Sequence, residues 1–118
     1  MASHHYLPYP PAAILLLDLR FFVYTIKHVN VTYDPAKNAE NLRKHGISLQ
    51  RAEDFDFTTA FYDDDDSQDY GEVRVLAISW LDSLLYTLVF RDEDAPNTIR
   101  AISLRQSNGE ERKQYAQH

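Results

Sequence analysis

Between Arg100 and Tyr115 stand three arginines, Arg100, Arg105 and Arg112, together with Glu111 and Tyr115. An arginine's planar fork matches the oxygens of a phosphate, so this group is suited to hold a phosphodiester. Glu111 and Tyr115 are four apart, hence neighbours on one helix face, and offer a proton acceptor beside a proton donor. A second cationic group comes earlier. Lys37, Asn41 and Lys44 fall at i, i+4 and i+7 and line one face of a helix. His45 follows Lys44, placed either as a general acid or base or as a plain cap over the last carbonyls. The bland alternative for the C-terminal group is a surface helix decorated with Glu and Arg, with Tyr115 docked on a sheet.

The elements that must position these residues can be read from the pattern. Asp34-Pro35 is an N-cap followed by a first helical residue, and Gly46 is a left-handed stop, so a helix is expected over 35–45. Ala36, Ala39 and Leu42 recur at helical spacing and are expected to face the core. Ser48 caps a second helix over 49–56. A first strand is expected at 29–33. Others follow near 57–62, 72–80, 84–91 and 98–104, with a last helix near 108–116. Asp82-Ser83 between apolar runs reads as a hairpin turn. Val73, Val75 and Ala77 alternate with Arg74, Leu76 and Ile78, a strand covered on both faces. Strands joined by tight turns imply an antiparallel sheet, and the whole reads as α+β. Arg100 and Arg105 are separated by an odd number, so a regular strand places them on opposite faces. Both reach one site only if the strand bulges or ends first, and it is expected to end near Ser103.

Length and composition set bounds. With 118 residues and 44% hydrophobic content the chain supports one folded domain and one core. There is no Cys, which excludes disulfides and thiolate metal sites. The net charge of −6 speaks against nucleic acid, but the charge is unevenly spread. Nine acids and no basic residue lie in 53–72, whereas 97–118 holds four basic residues against Glu110 and Glu111. The acidic segment would repel RNA or attract a basic partner. Asp63 to Asp66 fail the EF-hand pattern, because the sixth position is Gln68 where Gly is needed. They read as a solvated turn. No His-Glu-x-x-His zinc spacing occurs, so no metal or other cofactor is expected.

Residues 1–28 read differently from the rest. Met1 to Pro11 holds two His, two Tyr and three Pro without a period. The apolar run 12–26 is short and contains Asp18 and Arg20, against a membrane span. A basic start and a good cleavage site are missing, against a secretory signal. The expected organisation is an N-terminal extension of open order over 1–28, read as an extra strand or helix, a partly ordered extension or sequence upstream of a mis-set start, and a folded domain over 29–118.

Three ordered segments resemble the BrnT family, ribonuclease toxins of bacterial type II toxin–antitoxin systems with a RelE-like fold. The first is Tyr33-Asp34, Lys37, Asn41, Lys44-His45-Gly46, Ile47-Ser48 and Ala52. Next comes Gly71-Glu72-Val73-Arg74. The third is Ile99-Arg100-Ala101-Ile102-Ser103-Leu104-Arg105 with Glu111-Arg112 and Tyr115. The family has Lys and Ala where this chain has Gln106 and Ser107. The resemblance implies a RelE-like antiparallel sheet of four to five strands with two N-terminal helices and one C-terminal helix.

It also implies a cytoplasmic, metal-independent endoribonuclease. Such cleavage needs a base for the 2′-hydroxyl, cations for the charged phosphorane and an acid for the leaving oxygen. On this reading Arg100, Arg105 and Arg112 contact the phosphate, Glu111 or His45 is the base and Tyr115 the acid. Lys37, Asn41, Lys44 and Arg74 bind the RNA. The implied partner is a BrnA-like antitoxin, in a complex that could be of higher order. The acidic balance and the missing Lys motivate an alternative, a binding module that pairs with an antitoxin without cleaving RNA. A weaker third reading is a metal-dependent hydrolase built on the Asp cluster.

Overall fold

The computed structural model describes residues 29–66 and 68–118. The extension 1–28, with the expectations placed on it, lies outside the described residues. Strand β1 (Asn30–Thr32) leads into helix α1 (Pro35–His45), and a short 3₁₀ helix follows at Leu49–Asp54. Four strands come next: β2 (Phe61–Asp64), β3 (Val75–Leu81), β4 (Leu84–Asp92) and β5 (Thr98–Gln106). Helix α2 (Gly109–Ala116) ends the chain. The sheet order is β1-β5-β4-β3-β2. Pairing is antiparallel among β2 to β5, but β1 runs parallel to β5, with Asn30 opposite Thr98 and Thr32 opposite Arg100. The expected antiparallel sheet holds for β2 to β5, and the parallel β1 at the edge makes the whole sheet mixed. Everything between β1 and β5 in sequence forms the crossover that a parallel pair requires.

Local signals explain α1. The Asp34 carboxylate accepts the Ala36 N–H at 3.3 Å, Pro35 opens the helix, and Gly46 closes it at φ 72° with its N–H on the Leu42 carbonyl at 2.9 Å. Arg43, Lys44 and His45 sit in the last turn, where the helix dipole favours cations. The expected inward face is wrong, however. Ala36 and Ala39 are exposed and Leu42 is 50% exposed. Asn38 and Asn41 face inward instead. Asn38 Oδ1 accepts the Leu49 N–H at 2.7 Å and the Ser48 hydroxyl at 3.2 Å. Asn41 gives its amide N–H groups to the Ile47 and Leu104 carbonyls at 2.9 and 2.8 Å, and accepts the Leu104 N–H at 3.0 Å. Strand β1 covers β5 only along Thr98–Arg100. Beyond it the edge of β5 carries unpaired backbone groups, and the Asn41 carboxamide pairs with both of those at Leu104. Helix α1 is thus docked by hydrogen bonds to a strand edge, which an apolar stripe could not supply.

The second helix is shorter and tighter than expected. It ends at Asp54 because Phe55 is extended, and Phe55 and Phe57 turn into the core with ring centroids 5.0 Å apart. Asp56 then holds the Thr58 and Thr59 N–H groups at 3.0 and 3.3 Å, an Asx-type turn that delays β2 to Phe61. Asp63 and Asp64, expected in a turn, belong to β2. Charge on this outer strand protects its edge from pairing with another chain. The core packs Leu49, Ala52, Phe55 and Phe57 against Leu88, Phe90, Ile99, Ala101 and Leu104 on one face of the sheet. The hairpin β3–β4 turns at Asp82, φ 58°, whose carboxylate accepts from Arg51 at 3.0 Å.

Candidate nucleic-acid interface

Strand β5 does not end near Ser103; it runs on to Gln106 with a bulge. Val89 pairs with Ser103 but Phe90 pairs with Ala101, which leaves Ile102 as the extra residue. The extra residue resets the alternation. Leu104, Ala101 and Ile99 all face the core, so Arg105 and Arg100 share the opposite face despite their odd separation. Arg100 pairs with Arg91 and Arg105 with Thr87. Those partners are four residues apart on β4, about 13 Å along the strand.

The ten candidate residues separate into two groups on this basis. Lys37, Asn41, Lys44, His45, Arg74 and Arg100 line two adjoining concavities that share Lys37 and Ile102. One, of about 170 Å³, is bounded by Asp34, Lys37, Glu72, Arg74, Arg91 and Arg100. The other, of about 210 Å³, lies under α1 beside Lys44, His45 and Ser103. Together they make a groove running from the end of α1 to the start of β3. Within it Arg74 donates to Glu72 at 2.9 Å and stacks 3.7 Å over the Tyr70 ring. Arg100 donates to Glu93 at 3.0 Å, and Thr32 donates to the same oxygen at 3.3 Å. The Arg100 hydrogen bond, opposed by burial, holds the Glu93 carboxyl below the usual carboxylate range. Asn41 is 4% exposed with both amide groups engaged, so we assign it to holding α1 rather than to contacting RNA.

Arg105, Glu111, Arg112 and Tyr115 form the second group, at the α2 end. Glu111 accepts Arg105 Nη1 and Nη2 at 2.8 Å each, Thr87 Oγ1 at 2.9 Å and the Asn108 N–H at 2.9 Å. The Asn108 side chain accepts the Glu111 N–H in return, closing a capping box. Burial raises the Glu111 pKa, but Arg105, the Asn108 N–H and Thr87 together hold it below the ordinary value. Both oxygens already accept hydrogen bonds, which makes this carboxylate a poor proton acceptor. Arg112 donates to the Ser107 carbonyl at 2.9 Å, and Tyr115 packs edge-on against Trp80 with its hydroxyl 3.3 Å from Thr59 Oγ1.

Sequence reasoning missed Arg91, Glu72 and Glu93 as parts of the groove. Arg91 was visible in principle, since folding the 84–92 and 98–106 strands about their loop sets it opposite Arg100. Among the described residues no group of three or more His, Cys, Asp or Glu is placed to hold a metal ion, and no helix is long and apolar enough to cross a membrane.

The fold is an α+β domain whose five-stranded sheet carries an arginine-lined groove at one end of a face, a lining whose guanidinium groups suit an anion. The family described as ribonuclease toxin, BrnT, of type II toxin–antitoxin systems matches residues 33–111, and the chain belongs to that family. It also shares the fold of the crystal structure of the Brucella abortus ribonuclease toxin BrnT. The TM-score is 0.52 at 19% identity, covering 68% of this chain and 97% of that one. No curated protein matches the sequence. Membership sets the class: a ribonuclease toxin, with RNA as target and an antitoxin as partner.

Proposed function

We propose that this chain is a metal-independent, cytoplasmic endoribonuclease that cleaves RNA in the groove and is neutralised by a bound antitoxin of the BrnA kind. The observation that carries the reading is the convergence of Arg74, Arg91, Arg100 and Lys37 on one concavity in an otherwise acidic protein. In this reading His45 at the neighbouring concavity takes the proton of the 2′-hydroxyl as it attacks the adjacent phosphorus, and the arginines hold the charge of the phosphorane. The P–O5′ bond then breaks with the imidazolium returning the proton to the departing 5′-oxygen, leaving a 2′,3′-cyclic phosphate. Lys37 and Lys44 hold the RNA backbone. Glu111, with both oxygens engaged, is assigned to fixing Arg105 and capping α2. We further propose that the folded domain begins at Val29, which is 7% exposed and belongs to the core. The fragment 29–118 should unfold cooperatively by calorimetry; a molten fragment would refute this boundary.

A second reading places the scissile phosphate at Arg105, with Arg112 and Tyr115 beside it. It is favoured by the bulge, which sets Arg105 on the same face as Arg100. Single-turnover cleavage and equilibrium RNA binding separate the two. Arg100→Ala should lower the cleavage rate by about 10²–10³-fold. Lys37→Ala should weaken binding and reduce the salt slope by about 0.7. EDTA should change neither. A normal rate for Arg100→Ala beside a lost rate for Arg105→Ala would transfer the chemistry to the α2 end. No cleavage by the unaltered protein would leave the binding-module alternative.

A further inference from the structure

Arg74, Arg91 and Arg100 stand side by side, Arg91 on β4, Arg100 on β5 and Arg74 just ahead of β3. Arg91 is in register with Arg100, and Arg74 directly precedes Val75, the partner of Phe90. Like charges set opposite one another in a sheet repel. Two carboxylates offset the repulsion, each shared by one neighbouring pair. Glu72 lies 2.9 Å from Arg74 Nε and 3.6 Å from Arg91 Nε. Glu93 lies 3.0 Å from Arg100 Nε and 3.7 Å from Arg91 Nη2. Arg91 belongs to both pairs, yet both of its contacts exceed hydrogen-bonding distance. Among the described residues its guanidinium makes no hydrogen bond, so its fork of donors is unspent. Its side chain is one-third exposed and lines the groove.

We propose that Glu72 and Glu93 mark two phosphate places. On binding, two successive phosphates of an extended RNA strand displace the carboxylates and are bridged by Arg91. This rests on the RNA-cleaving reading above. Carboxylate and phosphodiester each present a singly charged, two-oxygen edge to a guanidinium, so the exchange conserves charge and geometry. The two places are offset by about one strand spacing, ~5 Å, because each lies between adjacent strands. The anions can leave without disturbing the ladder. Arg91 and Arg100 are strand residues, whereas Glu72 lies before β3 and Glu93 follows β4 in the connecting loop. A rotamer change of either Glu frees its place.

The test is anisotropy titration of uncleavable 2′-O-methyl oligonucleotides on the full chain without antitoxin. A trinucleotide carries two internal phosphates and a dinucleotide one. The unaltered protein should bind the trinucleotide more tightly, and Arg91→Ala should lose most of that advantage. Glu72→Gln and Glu93→Gln should each tighten trinucleotide binding about three- to tenfold at low salt, since a competing charge is removed. Glu72→Ala and Glu93→Ala provide the same reading should a Gln form fail to fold. Equal or weaker binding by the Glu variants would show that the carboxylates merely orient the arginines, and would overturn the proposal. Equal binding of the two lengths by the unaltered protein would overturn it as well. If Arg91→Ala and Arg100→Ala both bind like the unaltered protein, it is the RNA-cleaving assignment of this groove that fails.

Discussion

At the α2 end of the sheet, Arg105 meets Glu111 through two hydrogen bonds of 2.8 Å. Farther along the same face, Arg91 stands between Glu72 and Glu93 at 3.6 and 3.7 Å. The residue types are the same and the geometry is not. Glu111 is 9% exposed and also serves a helix cap and a buried hydroxyl, so several groups depend on it at once. Glu72 is a loop residue with a side chain about one-third exposed and serves the arginines. An ion pair embedded in a network is an anchor; one stretched across a groove is available to a ligand. The comparison teaches that counting arginines does not locate a phosphate site. What matters is whether their donors are already committed.

The largest expected effect is on the anchored side. Glu111→Ala removes the cap and leaves Arg105 and Thr87 without their shared acceptor, and should cost about 3 kcal/mol in denaturant unfolding. The pH dependence follows from the lowered folded pKa. The carboxylate contributes fully above the ordinary value of 4.5, and that contribution is lost as pH falls through the lower folded value. Unfolding midpoints should therefore fall more steeply in acid for the unaltered protein than for Glu111→Gln. A parallel acid profile would remove Glu111 from the anchoring role. Asn41→Ala comes next, at about 2 kcal/mol, since the Leu104 N–H and carbonyl lose their partner at a covered edge. A stability within measurement error of the unaltered protein would mean that water replaces the carboxamide and that α1 is held by other contacts. Smallest are Glu72→Gln and Leu42→Ser, each within about 0.5 kcal/mol. A Glu72→Gln loss comparable with that of Glu111→Ala would erase the contrast between the two ends.

What the sequence disclosed and what it hid divides along the range of the interactions. The caps of α1 were legible because Asp34, Pro35 and Gly46 act on their own neighbours. The Asn108-x-x-Glu111 capping box was equally local and was overlooked. The inward face of α1 was misread because apolar period assumes an apolar neighbour, whereas Asn38 and Asn41 meet backbone groups. Nothing along the chain announces that β5 has a bare edge there. A bulge was one of the two ways open for Arg100 and Arg105 to share a face, but its place at Ile102 is a property of two strands in register and stayed hidden. That one extra residue sets Arg105 on the face of Arg100, whereas Arg91 could have been found by folding 84–92 against 98–106 and was missed. The family resemblance identified the class correctly, but it could not show which matched residues line the groove.

The parallel pairing of β1 with β5 has a consequence in time. Asn30 meets Thr98, and Asn41 meets Leu104, so contacts that complete the domain join residues separated by more than sixty positions. During synthesis the amino-terminal segments emerge first and must wait for the last strand. Loop closure of that length is slow to be repaid, which retards folding relative to a chain of local contacts. Until β5 has left the ribosome, Arg100 is missing from its row, α1 has no edge to clamp, and the groove does not exist. If RNA is cleaved in this groove as proposed, a nascent chain cannot cleave there until its final strand has docked.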